Sequence, residues 1–214
     1  RILKKKITKQ MKTLKTLALS LFAVAVLVAC NNTPAEKTEV ETGITGTFNA
    51  DLTASAINWE GSMLGMYNHT GTLSLTSGSI TLENEAITGG EFVVDMTSMQ
   101  TTDANYDSAA GHTPDKLIGH LSTGDFFLVD SFPAASFKVT GSDSTGITGD
   151  LTIKGITNSE KITNVVVSAT DNGISATGDL TFDRTKYNVT YVNAAKEKVL
   201  SNDIKLNIEL VAQP

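Results

Sequence analysis

The stretch from His112 to Val139, HTPDKLIGHLSTGDFFLVDSFPAASFKV, interrupts the pattern that governs the rest of the chain. On either side of it, short segments alternate apolar and polar residues with the period of two that belongs to a half-buried β-strand. Inside it, adjacent phenylalanines, a proline and two histidines gather in what reads as a connection. Thr113 is placed to cap a short helix running to Leu121, with Pro114 at its first position, Asp115 in its first turn and Gly124 as its stop. Leu117, Ile118 and Leu121 share one side of that helix, which is therefore expected to lie against a barrel at one mouth. Phe126, Phe127, Phe132 and Phe137 are half of the 8 phenylalanines in the chain. Apolar area of that size in a connection either plugs a barrel or faces a ligand inside it.

Before this stretch, strand patterns cover Thr45 to Phe48, Ala56 to Glu60, His69 to Thr76, Ser79 to Leu82 and Gly89 to Met96. After it they cover Ala135 to Thr140, Ile147 to Lys154, Ile162 to Ala169, Ile174 to Phe182 and Ile204 to Leu210. About ten strand candidates are enough to close an antiparallel barrel. A signature recurs at irregular spacing: Thr70-Gly71-Thr72-Leu73, Thr148-Gly149-Asp150-Leu151 and Thr177-Gly178-Asp179-Leu180. Its glycine is expected to supply a bulge or bend, and the alternation after it turns one apolar face inward. The segment Gln100 to Gly111 is small and polar, and reads as a mobile loop.

The 214 residues divide into three parts. Residues 1–29 read as upstream reading frame plus a lipoprotein signal peptide starting at Met11: Lys12 and Lys15 precede the apolar run Leu17 to Ala29, which is short for a bilayer span. The run ends in Leu27-Val28-Ala29-Cys30, which resembles a bacterial lipobox, whose cysteine carries the lipid and becomes the new N-terminus. Residues 30–42 are polar, contain Pro34 and read as a lipidated flexible tether. Residues 43–214 are the barrel domain. Cys30 is the sole cysteine, so it leaves no intrachain disulfide and no thiolate cluster for a metal. Seven of the 17 lysines and arginines precede Cys30 and all 23 acidic residues follow it, which leaves ten basic residues against 23 acidic and a formal charge of −13 for residues 30–214. Phosphate backbones would be repelled, and nucleic acid is not an expected partner.

No catalytic constellation is legible. His69, His112 and His120 lack the spacing of a zinc site and read as hydrogen-bonded loop histidines. Gly173-Ile174-Ser175-Ala176-Thr177 misses the nucleophile-elbow pattern at its last residue and sits in a strand-like run. Phosphate-binding and dinucleotide-binding glycine motifs are absent, and no cofactor is expected. Arg184, at a strand end, either pairs with Asp183 or Asp95 or clamps the phosphate of a lipid head group.

Gly119-His120-Leu121, Asp125-Phe126-Phe127, Phe132-Pro133-Ala134-Ala135-Ser136-Phe137, the run Thr148 to Thr157 and Phe182-Asp183-Arg184 together resemble the YceI-like family of bacterial envelope proteins. The resemblance spans about Gly43 to Ala212. It implies a lipocalin-like antiparallel β-barrel of about eight strands with a short helix in the central connection, whose apolar lumen holds a polyisoprenoid or another long-chain lipid. Trp59, Phe92, Val94, Phe126, Phe127, Phe137, Leu151, Ile153 and Phe182 become the candidate lining, with Arg184, His69 and His120 as candidate head-group contacts. The lipobox departs from the simple secretion common in the family, and Leu128 stands where the family has an acidic residue. The expected protein is a non-enzyme, anchored through Cys30 in the cell envelope at the outer membrane, that carries or stores an isoprenoid-like or acyl lipid. A non-catalytic interaction module with a filled core is the competing reading, and an envelope hydrolase a weaker one. Oligomeric state has no signal in the sequence.

Overall fold

The computed structural model describes residues 43–192 and 199–214. Cys30 and the segments expected to be a leader, 1–29, and a tether, 30–42, lie outside the described residues. The described elements are β1 (Gly46–Ala50), β2 (Ala56–Met63), β3 (Tyr67–Glu83), β4 (Ala86–Thr101), α1 (Pro114–Leu121), β5 (Ala134–Asp143), β6 (Gly146–Ile153), β7 (Ile156–Thr170), β8 (Gly173–Asp183), a 3-10 turn (Arg184–Tyr187) and β9 (Leu200–Gln213). All strand pairings are antiparallel, and the ring β3-β2-β9-β8-β7-β6-β5-β4 closes because β4 returns to β3. The expected closed barrel with one short helix in its central connection is what forms.

Nine strands make eight lanes. β1 and β2 run in the same direction and both pair with β3 and β9, so they occupy one lane in succession. The chain between them leaves the sheet as a turn, in which the Asp51 carboxylate accepts from Thr53 N–H at 3.0 Å and from Ala54 N–H at 3.1 Å. Ser55 repairs the gap. Its hydroxyl accepts from Val211 N–H at 3.1 Å and donates to the Val211 carbonyl at 3.2 Å, so β9 keeps its backbone partners across the break. The ten expected strands fall to nine because His69 to Thr76 and Ser79 to Leu82 are one strand, β3, bent at register shifts in its pairing with β4.

The recurring glycines act through space. A methyl group on Gly71 would stand 2.3 Å from Cζ2 of Trp59 on the neighbouring strand, and one on Gly149 would stand 2.3 Å from Cζ of Phe137. Each glycine makes room for a large ring, and neither has positive φ. The helix starts as expected, with Lys116 N–H donating to Thr113 Oγ1 at 3.3 Å. Its end differs from expectation. Ser122 caps it through a hydroxyl bond to the Ile118 carbonyl at 2.8 Å, two residues before Gly124.

The two ends of the barrel are filled differently. Where β1 and the late part of β3 meet β8 and β9, Leu82, Ile174 and Ala212 are at most 1 % exposed and Phe48 is buried over them. At the opposite end α1 leans toward β4 with no residue fully buried, and Phe126 and Phe127 follow it inward.

Candidate ligand-binding site

Period-two alternation sends every second strand residue inward, and those side chains leave unfilled space inside the barrel. Two adjoining chambers result. The lower holds about 100 Å³ and the upper, under α1, about 240 Å³. Ile57, Val94, Leu151 and Leu206 line both, so the two chambers of this lumen lie against the same four side chains.

All nine candidate lining residues face this space. Phe92, Val94, Phe137 and Leu151 wall the lower chamber; Trp59, Val94, Phe126, Phe127, Leu151, Ile153 and Phe182 wall the upper. Phe132, the fourth aromatic of the central stretch, does not. It packs outside, against the turn at Gly155. Leu128 has φ +48°, and this left-handed residue reverses the chain between Phe127 and Phe132.

Sequence reading missed a second set of wall residues. Met99, Leu200 and Tyr191 line the upper chamber. Tyr191 follows the 3-10 turn, where no period announces an inward residue, yet its ring stands 5.0 Å from Phe126 and 4.9 Å from His120. Met99 follows an irregularity in β4, which shifts the alternation that Phe92, Val94 and Met96 had set.

The polar groups of the upper chamber lie near its mouth. His69 Nδ1 stands 3.1 Å from the Asp103 carboxylate, which also accepts from Thr70 N–H at 3.0 Å, Asn105 N–H at 2.9 Å and the Tyr106 hydroxyl at 3.2 Å. A carboxylate can only accept, so Nδ1 is the protonated nitrogen of His69. Burial pushes the Asp103 carboxyl up, but the Thr70 and Asn105 N–H groups and His69 outweigh it and hold it below its ordinary value of 3.8. This corrects the mobile-loop reading: Gln100 and Thr101 belong to β4, and the loop that follows is pinned at Asp103. His120 Nε2 stands 3.0 Å from Asp125 and its ring meets Phe126 edge to face at 5.0 Å. His69 and His120, with Tyr67 and Leu117, line both the lumen and an outer vestibule that also contains His112 and Lys116.

Arg184 lines the upper chamber and is only 3 % exposed. Its Nε donates to the Ser201 carbonyl at 2.9 Å, Nη1 to the Val189 carbonyl at 2.6 Å and Nη2 to Asn202 Oδ1 at 3.3 Å. The expected pairing with Asp183 or Asp95 does not form. Asp183 caps the 3-10 turn through Thr185, and Asp95 binds Thr97. Burial lowers the Arg184 guanidinium from its ordinary value, and the nearby Asp183 charge opposes this. Trp59 Nε1 is buried with no hydrogen-bond partner in the protein, an open donor in the wall of the upper chamber. Among the described residues, no group of three His, Cys, Asp or Glu could hold a metal ion.

Residues 48–212 match the model of the YceI-like domain, more than half of the chain. The chain belongs to the YceI-like domain family. Apart from Gly46 and Thr47 of β1 and Gln213 of β9, the barrel strands, the central helix and the residues lining the lumen fall within the matched residues. A UPF0312 protein of Staphylococcus aureus (strain bovine RF122 / ET3-1) is 29% identical over 143 residues, covering 62% of this YceI-like chain and 81% of its own. Among solved structures, a polyisoprenoid binding domain from Saccharophagus degradans implicated in plant cell wall breakdown superposes with a TM-score of 0.58 at 18% identity, over 79% of this chain and 99% of that one. BcnA of Burkholderia cenocepacia gives a TM-score of 0.56 at 16% identity, over 75% and 98%. At these identities the likeness is one of fold.

Proposed function

We propose that this YceI-like protein is a non-catalytic lipid carrier or store, which encloses the chain of an isoprenoid or similar long-chain lipid in its lumen. In this reading Cys30 carries a lipid anchor and holds the barrel in the bacterial cell envelope, at the outer membrane. One observation carries the ligand class: two adjoining chambers inside the barrel, one lined by Phe137 and the other by Phe127, are walled almost wholly by apolar side chains. Apolar burial contributes about 25 cal/mol per Å², so enclosing a few hundred Å² of hydrocarbon offers roughly 5 to 10 kcal/mol before association costs. The polyisoprenoid binding domain of Saccharophagus degradans, which shares the fold, supports an isoprenoid-like ligand. His69, His120 and Arg184 stand where the upper chamber is polar and would meet a head group. The two unfilled chambers argue against the filled-core interaction module.

Native mass spectrometry of protein purified gently from its own envelope should show a bound hydrophobic adduct. A uniformly empty protein that takes up neither isoprenoid nor fatty-acid probes would sink the reading. Phe127→Asp provides the residue-level test. Phe127 is half-buried in the upper wall, so a carboxylate there can reach water while spoiling the apolar surface. Uptake should fall about tenfold or more with cooperative unfolding retained, whereas collapse of the fold would mean that the ring packs a solid core.

A further inference from the structure

Met63 and Tyr67 line the upper chamber, and between them the chain reverses through Leu64, Gly65 and Met66. Gly65 has φ +74° and Met66 N–H donates to the Met63 carbonyl at 3.0 Å, closing a four-residue turn with a left-handed third position. Turn tips ordinarily carry small polar residues. Here Leu64 and Met66 are large, apolar and each 53% exposed. Leu64 N–H donates to the Val199 carbonyl at 2.8 Å, which ties to the tip a third apolar side chain, 54% exposed, one residue before the lumen-lining Leu200. Val192, beside the lumen-lining Tyr191, is also open. Of the six large apolar side chains that stand exposed among the described residues, these four are each next in the chain to a residue that lines the upper chamber; Leu52 and Val166 are not.

We propose that this rim is a membrane-docking surface. Leu64, Met66 and Val199 enter the interfacial layer of a lipid bilayer and bring the lumen mouth against it, so that a lipid passes between bilayer and barrel without crossing water. The purpose of the docking rests on the lipid-binding reading above; its geometry does not. Single exposed apolar residues are ordinary, but their concentration around the mouth of an apolar cavity is not. A protein partner is disfavoured by size, because stable protein interfaces engage about 20 to 30 residues a side. A bilayer interface accepts a few inserted apolar side chains. The occupant is therefore lipid.

The test uses the full chain with Cys30→Ser, so that the only thiol is one introduced for labelling. An environment-sensitive fluorophore is attached in one sample at Met66→Cys and in another at Ser144→Cys, an exposed position in the β5–β6 turn at the opposite end. On adding phosphatidylcholine vesicles, the label at position 66 should brighten severalfold and shift to the blue, while the label at 144 stays unchanged. Adding Leu64→Asp should weaken the response at 66 about tenfold without moving the thermal midpoint. An unresponsive position 66, or equal responses at both positions, overturns the proposal. So does a response that appears without vesicles and grows with protein concentration, which would assign the rim to a second copy. Loading with cis-parinaric acid or an isoprenoid probe separates the two ideas. Vesicle docking by a protein that takes up neither cis-parinaric acid nor an isoprenoid probe keeps the rim and removes the lipid-binding reading, whereas a loaded protein that does not dock removes only the rim.

Discussion

The sealed end of the barrel and its mouth are made from the same alternating chain, and they differ in what the inward side chains meet. At the sealed end, Phe48, Leu82, Ile174 and Ala212 are buried and line neither chamber. Toward the mouth, Leu151, Leu206, Trp59 and Phe127 face a void, and the cover is assembled from α1, Phe126 and Tyr191. One end is organised to hold the fold and the other to admit something. The price of that opening is visible in the polar groups gathered there, since His69, Asp103, His120 and Arg184 must each find partners beside an apolar cavity.

The largest test of this contrast is a pair of truncations. Ile174→Ala should cost about 2 to 5 kcal/mol, because it opens a cavity in closely packed surroundings. Leu206→Ala, which lines both chambers, enlarges space already present and should cost less than about 2 kcal/mol. Urea unfolding of the two variants measures the difference, and equal losses would mean that the lumen wall carries as much of the stability as the sealed end.

Asp103 comes next. Asp103→Ala leaves partly buried donors on His69 and Thr70 without this acceptor, at a cost of about 1 kcal/mol. Because the folded protein holds this carboxyl below its ordinary 3.8, its contribution is fully present above that value and is lost as pH falls through the lower, folded one. Acid titration of stability should therefore be shallower in the alanine variant below about pH 4. Identical profiles would show that the loop is not held by this charge.

Thr113→Ala is the smallest effect. Loss of the cap on α1 should cost about 1 kcal/mol. Because α1 covers only the mouth, hydrogen exchange should rise in the helix while the amides of β8 and β9 at Ile174 and Ala212 keep their protection. Uniform loss of protection would contradict the separation of the two ends.

Much of the fold was legible. Leu151 and Ile153 announce a shared face by alternation, and Thr113-Pro114-Asp115 announces a helix start, because both signals are local, whereas Trp59 and Phe137 entered the candidate lining through the family resemblance. The family resemblance rests on equally local runs, such as Asp125-Phe126-Phe127. Site residues outside regular alternation were less legible: Met99 sits past an irregularity in β4, and Tyr191 belongs to no strand.

Period and capping chemistry, read along the chain, assign each residue a side of the sheet and each element a type, and here they were enough for a closed antiparallel barrel with an apolar interior. They say nothing of what stands across that interior. The shared lane of β1 and β2, the carbonyl partners of Arg184, the clasp of Asp103 on His69 and the unfilled space itself all depend on contacts between segments brought together by closure. Such contacts are set by volumes and distances in three dimensions, which alternation does not encode.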